Sequence, residues 1–335
     1  MTDAQSESVA SSVPRLVTRM LDGDRLALAR LITRVENRTP EVPAIMQAVH
    51  ARTGRAYVLG VTGPPGAGKS TLVDRITTLL RKEGLSVGII AVDPSSPFTG
   101  GAVLGDRIRM QTHTLDPDVF IRSMATRGSL GGLARATGDA IKLLDAFGFH
   151  WIIIETVGVG QTELDIIRQA DTTVVALVPE SGDSIQAMKA GLMEVADVFA
   201  VNKADRAGAH ALMAELRFSV HLHYTTRGFN QEVDWEVPVL ATEGVNDVGI
   251  GELLEAIKRH RTTLGETGAL ERRRQQRRRG ELEALLVEEF TAQVMARVRA
   301  DPALTRTLDL VSSGGLDPYS AVAQILGRTL RSGSP

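Results

Sequence analysis

YVLGVTGPPGAGKSTL, Tyr57 to Leu72, is the stretch that decides the fold. Tyr57 to Val61 is a short β-type run. Gly63 to Ser70 then matches G-x-x-x-x-G-K-[ST] in full, and helical periodicity runs from Ser70 to Lys82, with Gly84 where a C-cap belongs. A strand, a glycine loop and a helix in that order make a phosphate cradle. Glycines let the backbone curl so that successive N–H groups point at phosphate oxygens, and the helix adds the partial positive charge of its N-terminus. The candidate phosphate-binding residues are Gly63, Pro64, Pro65, Gly66, Ala67, Gly68, Lys69, Ser70 and Thr71. Within them Lys69 is the residue to reach the β- and γ-phosphates, and the Ser70 hydroxyl is the one to ligate Mg²⁺.

Working outward, strand-like runs alternate with helical ones. Val87 to Val92, Val119 to Ser123, Trp151 to Ile154, Thr173 to Val178, Val198 to Val201 and Val237 to Leu240 read as strands, and Gly131 to Phe147 as a helix. This pattern predicts an α/β fold, a P-loop NTPase with a mostly parallel sheet flanked by helices, over residues 56–262. Residues 1–55 read as an N-terminal helical extension: Leu16, Met20, Leu26, Leu28, Leu31, Ile32 and Val35 recur at helical spacing, broken near Gly23 and Asp24, and a further helix runs to Arg52. The Ser-rich residues 1–13 are expected to be disordered. Past a loop at Gly265 to Gly268, residues 263–335 form a C-terminal helical arm. It has a long helix from Ala269 to Arg299, a break at Asp301-Pro302 and a last helix from Pro318 to Leu330.

Composition sets the class. The 335 residues are 43% hydrophobic and 23% charged, ordinary for a globular chain, and there is no cysteine, which excludes disulfides and thiolate metal sites. The net charge of -2 gives no pull toward nucleic acid. The polar N-terminus has no secretory pattern, and the apolar runs are too short to span a bilayer. The expectation is a cytoplasmic protein that binds neither nucleic acid nor membrane, with the six arginines of Arg272 to Arg279 on a solvated helix face.

Two further segments point to the base and the metal. NKAD, Asn202 to Asp205, follows an apolar run and so lies at the carboxyl end of a strand, where open α/β sheets bind ligands. The Asp205 carboxylate can accept from guanine N1 and N2, whereas adenine would leave it unpaired. Lys203 would lay its stem along the base. Ala241 and Thr242, just after the last strand run, are the candidates for a backbone N–H to guanine O6. Asp93 and Asp106 flank a Gly-, Ser- and Pro-rich stretch. Glu155 follows the strand run Trp151 to Ile154, where it would hold Mg²⁺ through water, with the Gly158 N–H near the γ-phosphate. The residue after Gly158 is Val159, not a water-orienting Gln, so slow intrinsic turnover is expected.

The chain resembles the MeaB/ArgK group of P-loop GTPases, methylmalonyl-CoA mutase accessory proteins. The likeness rests on Gly63 to Ser70, VDPSSPFTGGAVLGDR, SMATRGSLGGLA, ETVGVGQ, VPESGDSIQAMKAG (Val178 to Gly191) and NKAD, and covers residues 15 to 330. It implies a GTPase, binding GTP/GDP and Mg²⁺, that acts as chaperone of adenosylcobalamin-dependent methylmalonyl-CoA mutase or a related acyl-CoA mutase. GTP binding and hydrolysis would gate cofactor loading and protect the mutase. It further implies Ser70, Asp93, Asp106 and Glu155 around Mg²⁺, and a third switch at Gly182 to Lys189 whose Gln186 and Lys189 move to the nucleotide when the mutase binds. A homodimer formed through the C-terminal arm is implied as well. The alternatives are a metallochaperone GTPase, for which the chain lacks a Cys/His donor cluster, and a nucleotide-dependent kinase or scaffold linked to amino-acid transport, against which Asp205 argues. With no D-x-H-x-x-G segment, the chain is not expected to hold cobalamin tightly by itself.

Overall fold

A computed structural model describes residues 13–93, 111–113, 115–125, 132–156, 158, 164–165, 167–181, 193–227 and 234–331. The chain divides into two compact units, Met1–Leu270 and Glu271–Pro335. The first is built on seven strands: β1 (Tyr57–Thr62), β2 (Val87–Asp93), β3 (Val119–Ala125), β4 (Trp151–Thr156), β5 (Thr172–Leu177), β6 (Val198–Asn202) and β7 (Val239–Thr242). They lie in the order β3-β2-β4-β1-β5-β6-β7, and every pairing is parallel. β1, β4, β5 and β6 are buried along their whole length, which is why they read as unbroken apolar runs rather than alternating ones. The chain leaves β1 toward one edge and later crosses to β5, β6 and β7 on the other side. The crevice at the carboxyl ends beside β1 is therefore the switch point at which such sheets bind ligands.

Helices cover both faces. The first unit holds α1 (13–21), α2 (Arg25–Glu36), α3 (Val42–Val49), α4 (Lys69–Lys82), α5 (Gly132–Phe147), α6 (Ala209–Arg227) and α7 (Ile250–Glu266). Strand alternation sorts the side chains. Ile152 and Ile154 join Leu28, Leu31 and Ile32 of α2 and Leu143 and Leu144 of α5 in one core, while Ile153 joins Leu72 and Ile76 of α4 and Leu253 and Ile257 of α7 in another. A third core sets Val175, Phe199 and Val201 against Leu212 and Leu216 of α6. Full burial of such a side chain stabilises by about 1.5–3 kcal/mol. The N-terminal helices are thus part of the sheet's cover. Arg122 on β3 pairs with Glu36 at 2.5 Å, and Arg25 donates to the Pro117 carbonyl at 2.6 Å. Below β1 and β5, the buried Thr172 hydroxyl links the Tyr57 hydroxyl (2.5 Å) to His260 Nδ1 (2.7 Å).

The second unit contains most of α8 (Ala269–Ala300), then α9 (Pro302–Ser312) and α10 (Pro318–Arg331). Arg297 donates to the Thr329 carbonyl at 2.7 Å and Thr305 to the Val298 carbonyl at 3.0 Å, tying α8 to its two successors. Among the described residues no helix is long and apolar enough to cross a membrane.

Among the boundaries that differ from the sequence reading, three have a clear physical reason. The last strand starts at Val239, not Val237: Pro238 has no N–H for the ladder, though its carbonyl accepts from Phe199 N at 2.9 Å. Helix α7 continues to Glu266, through Gly265, so the loop shrinks to Thr267 and Gly268. Asp301-Pro302 ends one helix and starts another: Asp301 Oδ1 accepts from Ala303 N at 2.8 Å as an N-cap, and Pro302 fits the first turn.

Candidate functional site

The phosphate loop joins β1 to α4. Two of its glycines are required by geometry. At Gly63 (φ +145) a Cβ would lie 2.0 Å from the Ala176 carbonyl on β5, and at Gly68 (φ +81) one would lie 2.3 Å from Asn202 Nδ2. Gly68 caps α4 with no side-chain bond, so the first-turn N–H groups face the crevice without an acceptor from the cap. The Lys69 ammonium is buried in the mouth of the loop and donates to the carbonyls of Gly63 (2.8 Å) and Pro64 (2.9 Å). It holds the loop closed on itself beside the place where phosphates would sit.

Ser70 opens the helix with its hydroxyl donating to Glu155 Oε1 at 2.6 Å. Both side chains are buried, which brings two hard oxygen donors from the start of α4 and the end of β4 together. Register accounts for this: Val61 on β1 pairs with Glu155 on β4. One residue on, Thr156 Oγ1 donates to Thr62 Oγ1 at 2.8 Å, and Thr62 Oγ1 lies 3.1 Å from the Gly158 carbonyl. Gly158 is thereby fixed at the mouth of the loop. Asp93 is the last residue of β2, next to β4 in the sheet. Asp106, Gln186 and Lys189 lie outside the described residues.

The base end is built from β6, β7 and the turn that follows β7. A cavity of 290 Å³ is lined by Gly68, Thr71, Asn202, Lys203, Asp205, Arg206 and Glu243 to Asn246. The structure thus brings part of the phosphate loop and the NKAD segment to one hollow. Asn202 joins its walls: Nδ2 donates to the Ala67 carbonyl at 2.8 Å, and Oδ1 accepts from Gly244 N at 3.0 Å and from Thr242 Oγ1 at 3.3 Å. Lys203 takes a left-handed backbone (φ +56) that turns the chain after β6, and Asp205 is exposed on the cavity's rim. Arg206 pairs with Glu180, and its guanidinium holds that carboxyl below the usual range. Ala241 and Thr242 are the last two residues of β7, not a loop. With the strand shifted two residues along, the cavity wall begins at Glu243.

Sequence reasoning missed Thr62, Thr156, Glu243 to Asn246, and Arg75, whose guanidinium donates to the carbonyls of Gly244 (3.1 Å) and Val245 (3.4 Å). The threonines carried a weak signal, a hydroxyl at the carboxyl end of each of two strand runs. Arg75 carried none.

Residues 28–299 match the family model described as "Methylmalonyl Co-A mutase-associated GTPase MeaB". A Pyrococcus abyssi protein provisionally named as a GTPase is 49% identical over 321 residues, 96% of this chain and 98% of that one. GTPase ArgK of Escherichia coli is 36% identical over 92% of this chain and 94% of its own. The mitochondrial methylmalonic aciduria type A homolog of Caenorhabditis briggsae is 34% identical over 79% of this chain and 67% of its own. The crystal structure of an LAO/AO transport system kinase superposes with a TM-score of 0.66 at 29% identity, covering 96% of this chain and 98% of that one. With its phosphate loop, its NKAD segment beside the base cavity and this family match, the chain belongs to the MeaB family of P-loop GTPases.

Proposed function

We propose that this chain is a Mg²⁺-dependent, slow GTPase of the cytoplasm. It would serve as chaperone for an adenosylcobalamin-dependent methylmalonyl-CoA mutase or a related acyl-CoA mutase, gating cofactor loading and protecting the mutase. The observation that carries the reading is the match of residues 28–299 to a family described by its association with that mutase. The geometry supports the nucleotide half of it. Asp205 on the rim of the cavity offers the two-acceptor edge that guanine can pair and adenine cannot.

Mg²⁺ fits the residues present. The buried Ser70 hydroxyl and Glu155 carboxylate, 2.6 Å apart, are the hard oxygen donors this ion takes, with Asp93 and Asp106 as the further acids. When bound, the ion would neutralise charge on the β- and γ-phosphate oxygens. The chain's own part is to orient. Lys69 would exchange its loop carbonyls for phosphate oxygens, and the first-turn N–H groups of α4 would take the remaining charge. Val159 stands where a water-orienting Gln would, which supports slow turnover by the isolated chain. Gln186 and Lys189 are the candidates to supply charge stabilisation when the mutase docks. A homodimer through the C-terminal arm is supported by exposed Leu282, Leu286 and Phe290, an i, i+4, i+8 apolar stripe on α8.

The test is GTP turnover by the protein alone and with the mutase, with ATP as control. The expectation is slow GTP hydrolysis, several-fold acceleration by the mutase that is lost in Lys189→Ala, and no comparable use of ATP. Turnover indifferent to the mutase would leave a GTPase with another partner.

A further inference from the structure

We infer that Arg75 is a positioning residue for the base pocket, holding the turn Glu243 to Asn246 in the geometry that receives guanine. The inference deepens the guanine-nucleotide reading above and rests on it.

The turn is short and internally closed: Asn246 N donates to the Glu243 carbonyl at 3.0 Å, and Glu243 and Val248 exchange backbone bonds at 2.9 and 3.3 Å. What fixes it against the rest of the pocket is a pair of anchors. Asn202 holds the Gly244 N–H from the cavity side. Arg75, on the second turn of α4, holds the Gly244 carbonyl through Nε and the Val245 carbonyl through Nη2. A planar guanidinium presents two nitrogens in a rigid fork, so it holds the two consecutive carbonyls in one fixed plane, where an ammonium is a single rotatable point charge. Gly244 is seated closely as well: a Cβ there would meet the Thr71 methyl at 3.1 Å and Leu72 Cδ2 at 3.5 Å. Thr71 and Arg75, one helical turn apart, therefore press and grip the turn from the same face of α4.

The consequence is directional. In a trans peptide the N–H of residue 245 points opposite the carbonyl of residue 244. With that carbonyl turned to Arg75, the Val245 N–H is aimed away from α4, and both residues line the 290 Å³ cavity. The helix that presents its N-terminus to phosphates thus also sets the direction of a donor for the base oxygen O6.

The experiment measures equilibrium binding of GDP and of 6-thio-GDP, whose sulfur is a poor acceptor at the O6 position. The proteins are wild type, Arg75→Ala, Arg75→Lys and Asp205→Asn, with thermal midpoints as a folding control. Arg75→Ala should weaken GDP about tenfold, the loss expected for one charge-assisted bond pair. It should also narrow the preference for GDP over 6-thio-GDP. Arg75→Lys, which keeps the positive charge but loses the planar two-nitrogen fork, should fall between and carries the test if the alanine variant does not fold. Turnover at saturating GTP should change less than about twofold, a rise in KM without a matching fall in kcat. Unchanged GDP affinity, or equal losses for both nucleotides, would overturn the inference. Asp205→Asn, which should trade GDP for XDP, separates the two readings. If it gains no XDP affinity, the guanine assignment fails and takes the inference with it. If it gains XDP affinity while Arg75→Ala binds normally, only the role of Arg75 fails.

Discussion

Alanine at Gly66 and alanine at Gly68 place the same methyl group at two nearly identical φ angles. Gly66 has φ +80 with nothing within 4 Å of an added Cβ, and Gly68 has φ +81 with Asn202 Nδ2 at 2.3 Å. The left-handed backbone costs an L-residue about 1–2 kcal/mol at either position. At Gly68 the Asn202 side chain must also leave, giving up its bonds to the Ala67 carbonyl and the Gly244 N–H. Each buried group so orphaned costs about 1–3 kcal/mol. The totals are about 1–2 kcal/mol for Gly66→Ala and about 3–8 kcal/mol for Gly68→Ala. In melting temperature that is a loss of a few degrees against roughly 10 °C or more for a unit of this size. Because the lost ties join the phosphate loop to the base turn, GDP affinity should fall by less than about tenfold in the first variant. In the second it should fall by more than about a hundredfold. Thermal denaturation of the nucleotide-free proteins and calorimetric GDP titrations measure both quantities. If the two variants lose stability and affinity equally, the strut made by Asn202 does not couple the two halves of the site.

Glu155→Gln keeps an acceptor for Ser70 but removes the charge, so the fold should hold while the Mg²⁺ concentration for half-maximal GTP turnover rises about tenfold; superimposable Mg²⁺ titrations would place Glu155 away from the metal. Arg81 bonds Asp116 at 2.9 Å, and that bond holds the Asp116 carboxyl below the usual range. A depressed folded pKa stabilises above the unfolded value, about 3.9, and the benefit is lost as pH falls below it. The melting-temperature gap between wild type and Arg81→Ala should therefore be level from pH 5 to 8, about, and close below about pH 4. A gap that widens in acid would refute the assignment. In the second unit, Asp301→Ala should destabilise α9 by about 1 kcal/mol, read by amide exchange, with Asp301→Asn restoring most of it.

What was legible in the sequence was contiguous chemistry. Gly63 to Ser70 carries its mechanism in eight consecutive residues, and the NKAD segment begins on the last residue of a strand that is buried from Val198 to Asn202. The central strands were legible because both faces are covered, leaving no polar interruptions. What was not legible depends on register and on approach in space. The contacts of Thr62 with Thr156, and of Ser70 with Glu155, exist because β1 and β4 pair Val61 with Glu155. Nothing near either residue in the chain announces its partner. The grip of Arg75 on Gly244 spans 169 positions. Ala241 and Thr242 read as loop because Val237 reads as strand, whereas the missing N–H of Pro238 delays pairing until Val239. Asp301-Pro302 reads as a break alone, and the helix from Pro302 to Ser312 is not legible from it, since the pair that stops one helix is also a favourable start for the next.

The helices over 13–49 share a core with α5, which begins at Gly132. On a ribosome the first partner is therefore complete well before the second exists. On the order of a hundred residues at about 5–20 per second is a delay of roughly 5–20 s. During that interval Leu28, Leu31 and Ile32 belong to a nascent segment that lacks α5 and the strand β4 that joins β2 to β1. Folding of the first unit cannot finish from the N-terminus forward. It must wait for α5, and synthesis speed through residues 50–131, rather than the intrinsic rate of helix formation, sets how long that apolar surface remains open to misassociation.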